Sequence, residues 1–126
     1  MYYKEHQISD ATLFLAALYH DAGKLYDYVP MDDTLEEWES TDHKRIIHHI
    51  SRSAVMWTEA CERSKISVYH EAVLHAILSH HGLRQFGSPV APKSRVAWLV
   101  HYCDSISARM DDADTSDVVD TIRAMK

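Results

Sequence analysis

His20 and Asp21 stand side by side between an apolar run, Ala11 to Tyr19, and the segment Ala22-Gly23-Lys24. An imidazole nitrogen and a carboxylate oxygen placed together can serve one borderline divalent ion. Lys24, four residues after the histidine, can reach a phosphate oxygen that such an ion polarises. A His-Asp pair alone is a weak sign, so its weight depends on what else the chain offers.

It offers a good deal, because ten of the 126 residues are histidine. His43, His48 and His49 lie on a second segment, His75, His80 and His81 on a third, and His101 and Asp104 on a fourth. Any one histidine is more often an exposed ring or a hydrogen-bonded core group than a ligand, and His6 and His70 are read that way. Paired histidines near helix ends, followed by Gly82, are a different matter. Several such groups on separate helices, next to apolar core positions, build metal sites in helical bundles, whereas an ordinary core avoids polar atoms.

The elements that must position these groups read as helices throughout. Ser9 or Asp10 caps a helix that runs through Leu13, Leu15, Ala16, Ala17 and Leu18 to the His-Asp pair; apolar on nearly all faces, it reads as the central and most buried helix. Residues 26–41 are mainly a loop, with a short helix around Leu35 to Trp38 and with Tyr26, Tyr28 and Trp38 free to stack on a base. Thr41 or Asp42 caps a helix over 43–63 with Ile46, Ile47, Ile50, Ala54 and Trp57 as its apolar stripe. A helix over 68–81 presents Val73, Leu74, Ile77 and Leu78, with Gly82 as its C-terminal stop. A helix over 93–110 presents Val96, Leu99, Val100, Cys103 and Ile106, and a short one over 116–125 follows. No strand is expected. The fold class is all-α, a bundle of about five to six helices. Residues 1–126 form one domain with a core over about 9–110 and an add-on helix in 111–126.

Composition narrows the function classes. Apolar residues make up 46% and charged residues 25%, as in ordinary globular proteins. A net charge of −6 provides no general basic field for a long nucleic acid. Cys61 and Cys103 lack CxxC spacing and read as reduced core thiols without a disulfide partner, which points to the cytoplasm. No stretch approaches 18 apolar residues, so no membrane span is expected.

The segment His20-Asp21-Ala22-Gly23-Lys24 resembles the signature of the HD-domain metal-dependent phosphohydrolases. His48-His49-Ile50 is similar to the GHI-type segment that opens the next helix in that superfamily. His75-Ala76-Ile77-Leu78-Ser79-His80-His81-Gly82, followed by Phe86-Gly87-Ser88-Pro89-Val90, resembles the HD domain of bacterial 3′–5′ exoribonucleases that carry an OB-fold. Asp104, in His101-Tyr102-Cys103-Asp104-Ser105, matches the superfamily's late aspartate. The resemblance covers about residues 11–110, with its motifs in the family's order.

The resemblance implies a helical fold holding one to three divalent ions. His20, Asp21 and Asp104 would serve the first, and Asp21, His49, His80 and His81 a second. Lys24 would steady the phosphate, with His81 also on the substrate side, while a water made acidic by the metal attacks phosphorus. Mixed carboxylate and imidazole ligands suit Mn, Fe, Co, Ni or Zn better than Mg. Two departures stand out. The family places another metal-binding histidine well before the pair, whereas this chain has His6, fourteen residues ahead of His20. On one continuous helix that spacing separates the two by roughly 21 Å, too far for one ion. Nor does an OB-fold, the RNA platform of those exoribonucleases, stand in these 126 residues. The expected activity is therefore hydrolysis of a phosphomonoester or phosphodiester in a small nucleotide or short oligonucleotide. The alternative is a metal- or nucleotide-binding regulatory module with little or no turnover. Either reading is compatible with a homo-oligomer.

Overall fold

A computed structural model of the chain describes residues 9–65, 69–112 and 123–124. Helix α1 spans Asp10–Tyr19 and is capped by Ser9, whose hydroxyl accepts the Thr12 N–H. It is followed by α2 (Lys24–Asp27), α3 (Asp42–Ile46), α4 (His49–Ser64), α5 (His70–Ser79), a 3-10 turn at Arg84–Phe86, and α6 (Arg95–Asp112). The bundle is all-α in character, as its periodicity implies. His6 and nearly all of the expected last helix lie outside the described residues.

The core is built from small and β-branched side chains that let the helices approach closely. Ala16 of α1, Trp57 and Cys61 of α4, Val73, Ala76 and Ile77 of α5, and Val96, Ala97 and Val100 of α6 form one buried cluster. The most enclosed helix is α5, which packs against α1, α4 and α6. By contrast, α1 leaves Phe14 and Leu18 largely in solvent, so its all-round apolar pattern overstated its burial. The same holds at the far end of α6, where Cys103 and Ile106 were expected inside and are exposed.

Two further expectations are corrected. Residues 26–41 contain no helix at Leu35 to Trp38; strands β1 (Tyr28–Pro30) and β2 (Trp38–Ser40) pair antiparallel instead. Leu35 has a positive φ of 60°, which a helix excludes, and the Asp32 carboxylate accepts the Thr34 N–H to close the turn. The helix expected over 43–63 is broken at Ile47 and His48, where His48 takes φ 74° and ψ 152°. In that region essentially only glycine is unstrained, and His48 occupies the glycine position of the GHI-type segment. Because α3 leaves the axis of α4 there, Ile46 and Ile47 fall outside the core stripe and are exposed.

The break and Gly23 together set the junction on which the His-Asp pair sits. The Gly23 N–H donates to Ser53 Oγ at 2.8 Å. A Cβ at Gly23 would collide with the His49 carbonyl and stand 2.8 Å from the Ser53 nitrogen. Gly23 has an ordinary helical φ of −63°, so it serves close packing against α4 and not an unusual backbone turn.

Candidate metal centre

Helix α1 ends one residue before the pair, with His20 as its C-cap. The turn that follows brings Asp21 toward the start of α4 and the end of α5. Asp21 Oδ1 lies 3.4 Å from His49 Nε2 and 3.3 Å from His80 Nε2. Its other oxygen lies 3.4 Å from His20 Nε2 and 3.1 Å from Lys24 Nζ. Asp104, from α6, places Oδ1 3.4 Å from the same His20 nitrogen. The ligand atoms of His20, Asp21 and Asp104 fall within 4.8 Å of one another, as do those of His49, His80 and His81 and those of Asp27, His48 and His49. Asp21 belongs to the first of these groups and faces the second.

The imidazoles are oriented from behind. His20 Nδ1 donates to the Ala17 carbonyl and His80 Nδ1 to the Ile77 carbonyl, both at 2.6 Å. In each neutral ring this leaves the Nε2 lone pair facing Asp21. His101, read from sequence beside Asp104, instead donates from Nδ1 to the His80 carbonyl at 2.9 Å. Its ring also fills the space where a Cβ on Gly82 (φ +88°) would stand. His75 is held away from the cluster, with Nε2 accepting the Lys93 N–H.

Behind His49 lies a residue that the sequence did not single out. Asp27 is wholly buried; its Oδ1 accepts from His43 Nδ1 at 2.6 Å and its Oδ2 is 3.6 Å from His49 Nδ1. Arg52 donates to His43 Nε2, which fixes the proton of that ring on Nδ1. A carboxylate behind a ligating histidine is the usual way its orientation and basicity are set. Nothing local distinguished Asp27 from the acidic residues of the next turn.

Asp21 Oδ1, His49 Nε2 and His80 Nε2 are buried and make no hydrogen bond. Buried acceptors facing one another this way are costly unless a cation or proton lies among them. For metal bonds of about 2.0–2.2 Å, ligand atoms set roughly 90–110° apart are separated by about 2.8–3.6 Å. The observed 3.3–3.4 Å falls inside that range. The donor set therefore fits a divalent ion.

Without an ion, the cluster holds a proton at His20. Burial works against the ionised forms of His20 and Asp21, yet hydrogen bonds to Asp104 and Asp21 outweigh it at His20, whose pKa rises to about 10. At Asp21, the neighbouring His20, His80 and Lys24 likewise outweigh burial and hold the carboxyl well below its ordinary value. Asp104 is lowered chiefly by its bond with His20. Burial, reinforced by His48, His80 and His81, pushes His49 down to about 3, leaving it neutral. His81 is lowered by burial and by His80.

A depression opens beside Asp21, lined by Lys24, Leu25, Tyr28 and Trp38. Lys24 is half-exposed there, and Trp38 is fixed by an indole N–H bond to the Leu35 carbonyl. Tyr26 does not join this rim. Its ring packs on His43 and lies under the Arg52 guanidinium, covering the Asp27 network. No helix among the described residues is long and apolar enough to cross a membrane.

The family model described as HD domain matches residues 1–109. The 3'-5' exoribonuclease YhaM of Bacillus velezensis is 32% identical over 100 residues, covering 78% of this chain and 30% of the relative. That of Bacillus subtilis is 31% identical over 103 residues, covering 81% and 32%, and that of Shouchella clausii 33% over 106, covering 81% and 31%. The chain thus spans about a third of the length of these curated relatives. No solved structure matches.

Proposed function

The chain belongs to the HD-domain family of metal-dependent hydrolases, and we propose that it cleaves a phosphoester of a nucleotide or short oligonucleotide. The observation that carries this reading is the trio of buried, unbonded acceptors, Asp21 Oδ1, His49 Nε2 and His80 Nε2, converging from three elements. His20, Asp21 and Asp104 would hold one divalent ion, and Asp21, His49, His80 and His81 a second, with Mn, Fe, Co, Ni or Zn suited to these donors. Ions held there supply Lewis acidity toward phosphate oxygens and lower the pKa of water.

The chain's own residues do the rest. Asp21 and Asp104 stay ionised at neutral pH and present carboxylate oxygens to both groups. Lys24, tethered by Asp21 at 3.1 Å, turns its ammonium to the depression and pairs with a non-bridging phosphate oxygen. Tyr28 and Trp38 offer ring faces to the base of the same nucleotide. His81 borders the substrate side. The relatives are named as exoribonucleases, which fits an oligonucleotide substrate.

The test is to load the protein with each metal, verify content by elemental analysis, and assay mononucleotides, cyclic dinucleotides and short RNAs. Release of phosphate or nucleotide, dependent on metal, is expected. Metal bound at full occupancy with no product from any of these substrates would overturn the proposal.

A further inference from the structure

A second cleft borders the same ligand cluster from the His81 side, lined by His81, Phe86, Tyr102, Ser105, Ile106 and Arg109. It shares no lining residue with the depression of Lys24, Tyr28 and Trp38. The two are joined through the metal-ligand groups themselves. His80 Nε2 is 3.3 Å from Asp21, which walls the first cleft, and the His80 ring centroid is 4.6 Å from that of His81, which walls the second.

The second cleft has the makeup of a nucleoside site. Phe86, Tyr102 and Ile106 are exposed, and the Tyr102 ring is stacked on Trp98 at 5.6 Å and 23°, which gives it a firm backing. Such a backed aromatic face is the platform on which unpaired bases stack. Arg109 is exposed and donates to the Ser105 carbonyl at 3.5 Å, a marginal bond. Among the described residues no carboxylate lines the cleft. An aromatic face beside a guanidinium suits a base with its neighbouring phosphate. The first cleft likewise sets ring faces, Tyr28 and Trp38, beside a cation, Lys24, with Asp21 in its wall.

We propose that the Phe86–Tyr102–Arg109 cleft is a second nucleoside subsite, so that the substrate is a phosphodiester joining two nucleosides, one in each cleft. The inference rests on the reading that the phosphate sits at the His20, Asp21 and Asp104 group. Cleavage adds water across the P–O bond: the oxygen of water joins phosphorus, and the leaving nucleoside oxygen takes a proton. A lone mononucleotide would fill one cleft and leave the other open.

Binding separates this from the hydrolase reading. The metal-loaded full chain is titrated with a dinucleotide joined by a phosphorothioate, which resists cleavage, and with the corresponding mononucleotide. Stacking and charge-pairing of a second unit are worth roughly tenfold or more in affinity, so the dinucleotide is expected to bind at least tenfold tighter. Tyr102→Ala and Arg109→Gln should each pull that ratio toward one; both side chains are exposed, so neither change opens the core. A wild-type ratio near one, or a ratio that survives both substitutions, overturns the subsite. Product release by the metal-loaded protein from mononucleotides, cyclic dinucleotides and short RNAs reads the hydrolase separately. Its absence beside a tenfold dinucleotide preference removes the hydrolase and supports the subsite; its presence with no preference does the reverse.

Discussion

Asp21 Oδ1 lies 3.3 Å from His80 Nε2, and neither buried atom has a hydrogen-bond partner. Because His80 spends its Nδ1 proton on the Ile77 carbonyl, a neutral His80 turns a lone pair toward the carboxylate. A cation makes this contact favourable. Asp21→Ala is therefore expected to lose more than nine-tenths of the bound metal and all hydrolysis, read by elemental analysis after dialysis and by product release. His70→Ala should keep both, since the His70 ring packs on Trp57 away from both ligand groups. Full metal content in Asp21→Ala would show that the aspartate holds no ion.

Lys24 pairs with the outer oxygen of Asp21 and is half-exposed in the cleft. Its removal leaves every metal-facing atom in place. Lys24→Ala should retain metal stoichiometry and raise KM about tenfold, the loss of one phosphate contact worth roughly 1.4 kcal/mol. Steady-state kinetics beside metal analysis decides it, and loss of metal in step with activity would place Lys24 elsewhere.

Asp27 makes its demands from behind His49. Asp27→Asn keeps the shape but weakens the hold on the His43 proton and the carboxylate charge facing His49 Nδ1. Outer carboxylates of this kind typically account for about 10–100-fold in metal affinity. Competition against a calibrated chelator should show a loss in that range; unchanged affinity would make Asp27 a packing residue.

The metal-free protein should be most stable near pH 6.5. His20 is raised to about 10 in the folded chain, so its contribution is fully present below the ordinary histidine value and fades as pH climbs toward 10. His49 is lowered to about 3, so below pH 6.5 the unfolded chain takes up a proton that the folded chain refuses, and stability falls. The depressed Asp21 and Asp104 add a further loss at still lower pH. Urea unfolding in chelator at pH 4.5, 6.5 and 9 tests this. Metal must displace the His20 proton, so affinity should rise with pH and binding near neutrality should release acid. A flat unfolding profile would count against the paired His20.

Much of this arrangement is legible in the sequence. His20, Asp21, His49, His80, His81 and Asp104 lie close together, because the first five follow or open helices of strong apolar spacing and Asp104 sits midway along another. The rim of Tyr28 and Trp38 was visible as aromatic content, but its hairpin was not, since three-residue strands carry too little alternation to register. Asp27 was hidden for want of any spacing rule that ties a second-layer carboxylate to its histidine. Cys103 and Ile106 continue the stripe of Val96 and Val100 in register, yet α6 outruns the helices that would bury them. Periodicity reports which face is apolar and not where the neighbouring helix ends.

The backbone at His48 has a consequence for engineering. A non-glycine residue at φ 74° and ψ 152° carries about 1–3 kcal/mol of strain, and the turn it forms is what lets α4 start at His49. His48→Gly should keep that turn and raise the free energy of unfolding by about 0.5–2 kcal/mol, the strain relieved less the added freedom of glycine in the unfolded chain, while removing the ring beside His49 and His81; denaturant midpoints would measure it. Position 48 is then a place where the domain can gain heat tolerance from a backbone change alone, without added contacts.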